Sequence, residues 1–221
     1  MSALLFGSIG TIVDTSELQR QAFNQAFTEH GLGWSWERED YAELLKTSGG
    51  EERIAAYAES QGDDVDAAAV HASKSTIFQT AMDSAQLTAR PGVAEAIRRA
   101  KEAGVSIGLV TTTSKGNVTS MVGAVSDVDL TDFDVTISRD DVEQTKPDPA
   151  AYATALDRLG LSADQCLAIE DNIDGVTSAN ASGVTCVAFP NENTADHDFS
   201  HATHTIDAID FDEAMKHVES N

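Results

Sequence analysis

Four short stretches of this sequence place polar groups, or a gap where they are expected, directly after an apolar run. In α/β proteins that is where sites form, at the carboxyl ends of strands. Thr111 and Thr112 follow "SIGLV" and precede a helix start, where hydroxyls and free backbone N–H groups suit a phosphate. The same two residues also fit an ordinary helix cap. Lys146 stands just before Pro147-Asp148-Pro149, close to a strand end, where a cation can reach a ligand or remain a solvated surface charge. Glu170 and Asp171 are adjacent acids at the end of "CLAIE". Two carboxylates so placed repel unless a cation lies between or near them, which points to ligation of a hard metal. The fourth stretch, "LLFGSIGTIVDT", spans residues 4–15 and has the shape of a strand delivering a catalytic loop. Its loop carries Gly7, Ser8 and Ile9 where a reactive side chain is expected.

The elements that must position these residues fall into two groups. Residues 3–6 read as a short buried strand. From Ser16 the pattern is helical, with Gln19 three residues on giving a capping-box signature. Leu18, Ala22, Phe23, Ala26 and Phe27 recur at helical spacing, and Gly31 and Gly33 end the run. "SWEREDYAELLKTSGG" reads as a second helix stopped by Gly49 and Gly50, and "EERIAAYAES" and residues 65–87 continue in helical period. After Arg90-Pro91-Gly92 the pattern changes. "PGVAEAIRRAKEAG" is a helix closing at Gly104, and "VSIGLV" is a strand. A helix over 117–125, the strand "FDVTIS" and the helix "PAAYATALDRLG" follow. Then come "CLAIE", the helix "GVTSANASG", the strand "VTCVAF", a weak strand "HTID" and a final helix "FDEAMKHVES". Such alternation predicts an α/β fold with a parallel sheet covered on both faces. Residues 1–15 and 89–221 form this core, and residues 16–88 are an inserted helical cap.

Composition bounds the function classes. The chain has 221 residues, 41% of them hydrophobic, enough for one medium domain or a core with an inserted unit. Its formal charge of −23 is spread along the chain, a field that repels nucleic acid and anionic membranes. No apolar stretch reaches the length of a membrane span, and the N-terminus lacks signal-peptide grammar, so a cytoplasmic location is expected. Cys166 and Cys186 sit just inside apolar runs and read as buried strand cysteines. His197, His201 and His204 lie near one another without the spacing of a metal motif.

Taken in order, the loops resemble those of the haloacid dehalogenase (HAD) superfamily, with a Rossmannoid core and a helical cap inserted after the first strand. Within it the chain is most similar to CbbY-like and phosphoglycolate-phosphatase-like sugar-phosphate phosphatases. "TSELQRQAFNQAF" and "TSGGEERI" in the cap carry that resemblance, with "TTTSKGNV", "KPDPAAY" and "EDNIDGVTSANASG" in the core. The resemblance covers nearly the whole chain. It implies that Thr111 or Thr112, with Lys146, holds a phosphoryl group. It implies too that Glu170 and Asp171 help hold Mg²⁺, that Asp174 supports their loop, and that Gly50 and Arg53 face the substrate from the cap. For Arg53 a surface pairing with Glu51 or Glu52 stays open. Arg20 is open to the same two readings, and Gln19 stands where these relatives carry a more ionisable residue.

The first motif departs from the family. There it reads Asp, any residue, Asp, Gly, Thr, and later Asp. Gly10, Thr11 and Asp14 fix the register here, so Gly7 falls at the nucleophile position and Ile9 at the acid/base position. Gly7 has nothing to attack phosphorus with, and Ile9 cannot exchange a proton. Loss of a nucleophile alone costs on the order of 10⁶ in turnover. If strand alternation persists, Ser8 points away from positions 7 and 9 and is no replacement. A carboxylate ligand is missing too, so any Mg²⁺ site is weakened or absent, and Lys146 can neutralise the two acids instead. The reading favoured by the sequence is therefore a catalytically inactive homologue, a pseudoenzyme, that keeps a pocket for a small phosphorylated metabolite. A hydrolase using another route, with water activated by the remaining acids, is one alternative. An interaction or structural protein with a vestigial cleft is the other.

Overall fold

Five short apolar segments assemble into one sheet. The structure, a computed structural model, describes residues 1–7, 9–46 and 49–219, without the side chains of Ile9 and Glu219. The expectation for Ser8 therefore lies outside the described residues, as does that for the side chain of Ile9. The strands are β1 (Ala3–Phe6), β2 (Ser106–Val110), β3 (Val135–Ile137), β4 (Cys166–Glu170) and β5 (Thr185–Ala188). All pairings are parallel, in the order β3-β2-β1-β4-β5. β1 is central, with Phe6 level with Leu109 on one side and Ile169 on the other. Its four residues are fully buried, as a strand covered on both faces requires.

The connections follow the pattern read from the sequence. A helical turn, α1 (Ile9–Ile12), leaves β1 and leads into α2 (Ser16–Glu29), α3 (Arg38–Leu44), α4 (Gly50–Gln61) and α5 (Ala67–Ser84). Then come α6 (Val93–Ala103), α7 (Lys115–Gly123), α8 (Ala150–Leu159), α9 (Ile173–Ala181) and α10 (Phe211–Glu219). Gly104 and Gly160 close α6 and α8 in the left-handed conformation, at φ 69 and 64°.

Alternation along the strands divides the core. Leu4, Phe6, Ile107, Leu109, Leu167 and Ile169 pack with α6, α7 and α10, while Ala3, Leu5, Val110, Cys166, Ala168 and Cys186 pack with α8 and α9. A third cluster, built on Phe23, Phe27, Trp36 and Tyr41, belongs to the inserted helices. α5 joins the parts: Val70 lies in the aromatic cluster, whereas Phe78 and Met82 lie in the main core.

Four local expectations are corrected. Gln19 forms no capping box, because its side-chain oxygen accepts instead from Lys74 Nζ. Gly50 starts α4 rather than ending α3, which stops at Leu44. "HTID" forms no strand but one isolated bridge, Thr205 to Ala188, where the Ala188 N–H donates to the His204 carbonyl and the Ile206 N–H to the Ala188 carbonyl. β1 ends at Phe6 and Ile9 already belongs to α1, so the strand alternation assumed for Gly7 and Ile9 does not extend to them. Among the described residues no helix is long and apolar enough to cross a membrane.

Candidate functional site

The carboxyl ends of β1, β2 and β4 open into a cleft of about 540 Å³, roofed by the inserted helices. Gly10, Thr111, Thr112, Lys146 and Asp171 line it from the core, and Gly50 and Arg53 from the roof. Most of the residues singled out by the sequence thus meet in one place.

Thr111 and Thr112 lie in the turn between β2 and α7, but the cap of that helix is Ser114, whose hydroxyl accepts from the Asn117 N–H. The ordinary-cap reading of the threonines is therefore wrong. Thr111 Oγ1 accepts the Thr113 N–H at 3.1 Å and retains its own proton to donate. Lys146 is 3% exposed; its ammonium donates to the Val110 carbonyl at 2.7 Å and to Glu170 Oε1 at 2.5 Å. The surface-charge reading of this lysine does not survive. Its third N–H has no protein acceptor among the described residues.

Glu170 is fully buried, and its Oε1 also accepts from the Tyr152 hydroxyl at 2.7 Å. Oε2 has no hydrogen-bond partner among the described residues. A Cβ on Gly7 would fall on the Glu170 carboxyl group, and so would one on Gly175. The carboxyl group is thus packed between two glycines, in space that any side chain at position 7 would claim. Burial pushes Glu170 up from the ordinary carboxylate range, against the downward pull of Lys146. Burial likewise raises the Tyr152 hydroxyl, so it stays a donor.

Asp171 behaves differently. It is 5% exposed, faces the cleft, packs against Gly10 and accepts from Asn172 Nδ2 at 2.9 Å and Asn191 Nδ2 at 3.1 Å. The two acids therefore part: one is buried on a lysine, the other presented to the cleft. The donor set is a poor match to Mg²⁺, which takes oxygen ligands in octahedral geometry. Glu170 Oε1 is engaged and Oε2 is walled by glycines. No three His, Cys, Asp or Glu side chains converge among the described residues.

On the roof, Arg53 is buried rather than on the surface, and its Nε donates to the Leu44 carbonyl at 2.8 Å. Asp174, on α9, and Glu52 act on its charge through space. Arg20 does not line the cleft, since its guanidinium is held by Glu17 and by the Trp36 carbonyl at 2.7 Å. Its neighbour Gln19 lines the cleft in its stead. The three histidines are dispersed: His197 bonds the Ala42 carbonyl at 3.0 Å, and His204 packs on His217.

Sequence reasoning missed Lys74, Tyr152 and Asn191. Lys74 was findable: with Val70, Phe78 and Met82 it forms a strict four-residue repeat, the buried stripe of α5. It is 4% exposed, contacts Gln19 Oε1, and lies 4.7 and 5.1 Å from the Phe23 and Phe78 ring centres. Burial, and then the Arg53 charge, push it down to about 7. His71, one turn earlier and also in the lining, is pushed down to about 4 by burial and by Lys74.

Residues 9–189 match the model of a family described as haloacid dehalogenase-like hydrolase. Protein CbbY of Rhodobacter capsulatus is 41% identical over 206 residues, covering 91% of each chain. The crystal structure of CbbY from Rhodobacter sphaeroides in complex with phosphate superposes with a TM-score of 0.88 at 36% identity, covering 94% of both chains. An Asp-to-Asn variant of that protein, in complex with xylulose 1,5-bisphosphate, gives the same score.

Proposed function

The chain belongs to the haloacid dehalogenase-like hydrolases and is related to CbbY, and within that family we propose that it binds a phosphorylated sugar without hydrolysing it by the aspartyl-phosphate route. The observation that carries this reading is the occupied space over Gly7. No carboxylate is present there to attack phosphorus, and the Glu170 carboxyl group has taken the volume one would need. Glu170 cannot serve in its place, because its charge is matched by Lys146 and its free oxygen is enclosed.

The cleft itself persists. Thr111 and Thr112 offer hydroxyls, Lys146 one N–H, and Gly50 and Arg53 stand opposite on the roof. The relatives bound to phosphate and to xylulose 1,5-bisphosphate support a small phosphorylated metabolite as the ligand. A resident Mg²⁺ does not fit the carboxylates as arranged, so binding in this reading is independent of the metal.

The test pairs thermal shift with a phosphate-release assay over a panel of C5 and C6 sugar phosphates, each with Mg²⁺ and with EDTA. Stabilisation by at least one member, equal in both buffers and without phosphate release, is the expected result. Release that is lost in the Lys146→Ala variant would overturn the reading.

A further inference from the structure

Lys74 and Asp171 are buried charges that face the cleft from opposite walls with no ion pair among the described residues, while the other unpaired charges of the lining, Glu51, Glu52 and Arg139, are exposed. On the roof, the Lys74 ammonium is held only by a neutral amide, Gln19 Oε1, and by the faces of Phe23 and Phe78. On the core side, the Asp171 carboxylate accepts from the amides of Asn172 and Asn191, with the Arg90 charge acting on it through space. Lys146, the charge expected to hold a phosphate at the core end, is already matched by Glu170. Resting on the phosphosugar reading above, we infer that the ligand is a monophosphorylated polyol bound in one orientation. Its phosphate lies against Lys74 on the roof, and its hydroxyl groups lie against Asp171 and Thr111 on the core.

The physical case is one of matching charge to charge. A buried ammonium between two aromatic rings is costly without an anion, and a phosphate supplies the one it lacks. Arg53 adds a second positive charge on the same wall, tempered by Asp174. At the other end a phosphate would meet the Asp171 carboxylate, which Arg90 offsets only through space, and like charges repel. Hydroxyl groups suit that end instead, because an O–H donated to a carboxylate is a charge-assisted bond. A second phosphate, placed on the core end of the ligand, thus weakens binding rather than strengthening it.

Titration calorimetry at pH 7 in EDTA, with ribulose 5-phosphate and ribulose 1,5-bisphosphate as probes, decides the matter. The monophosphate is expected to bind at least tenfold more tightly than the bisphosphate. Lys74→Gln and Lys74→Met should each weaken the monophosphate at least tenfold, with urea unfolding confirming that both variants fold. Asp171→Asn should narrow or reverse the preference. Tighter binding of the bisphosphate to the unaltered protein, or monophosphate affinity unchanged in both Lys74 variants, would overturn the orientation while leaving the phosphosugar reading intact. If neither probe nor any member of the wider panel bound, the phosphosugar reading would fail, and the orientation with it.

Discussion

The Glu170 carboxyl group occupies the space that a Cβ on Gly7 would require. The bare position 7 and the buried Lys146–Glu170 pair are therefore one feature seen from two strands. β1 ends without a side chain at position 7, β4 ends with a glutamate folded into the gap, and Lys146 neutralises it there. Restoring the first motif has to contend with that arrangement.

Gly7→Ala is expected to destabilise the protein by about 1–3 kcal/mol, the usual cost of overpacking a filled site, read as a lower urea midpoint. Gly7→Asp combined with Ile9→Asp brings carboxylates against Glu170. That variant should be destabilised in EDTA and recover when Mg²⁺ is added, about 2.7 kcal/mol at a hundredfold excess over its Kd. The unaltered protein should show no such response.

Lys146→Met leaves Glu170 buried without its cation, for which a loss of about 3–5 kcal/mol is expected. Adding Glu170→Gln removes the stranded charge and should restore most of it. Urea unfolding of the two single variants and the double variant measures the coupling.

Lys74 gives a pH signature. Its folded value of about 7 lies below the ordinary 10.5, so between these values the unfolded chain binds more protons and stability rises with pH. Below about 7 both states carry the proton and the contribution to the slope vanishes. The slope from this group reaches at most about 1.4 kcal/mol per pH unit. Lys74→Met should flatten the profile between pH 7 and 9 and raise stability at pH 7.

Arg90 clasps the site from behind. Its guanidinium lies 3.5 Å from the Phe189 ring centre and donates to the carbonyls of Gly10, Phe189 and Pro190 at 2.6, 2.8 and 2.6 Å. Arg90→Lys cannot span three carbonyls with one ammonium in the same geometry. A loss of about 1–3 kcal/mol is expected in urea unfolding, roughly one buried polar group left unsatisfied.

Much of this was legible in the sequence because its signals are local and periodic. The apolar runs at β1, β2 and β4 and the glycines after α6 and α8 mark strands and helix ends wherever they occur. Thr111, Lys146, Glu170 and Asp171 each follow such a run, and strand ends converge in a parallel sheet. What could not be read was which way a side chain turns once it arrives. Adjacent acids look alike in sequence, yet β4 aims Glu170 into the core and leaves Asp171 at the cleft. Arg20 and Gln19 are neighbours as well, and the helix faces the uncharged one toward the site. Lys74 stood in plain view on the four-residue apolar repeat of α5, but the wall its ammonium faces could not be read from that repeat.

The most direct test of the account follows phosphorus in a single sample. Phosphorus NMR of the protein with ribulose 5-phosphate and Mg²⁺ should show the ligand resonance shifting on binding, unchanged when EDTA replaces the metal, with no inorganic phosphate accumulating. Inorganic phosphate appearing in proportion to protein concentration, and only with Mg²⁺ present, would contradict it.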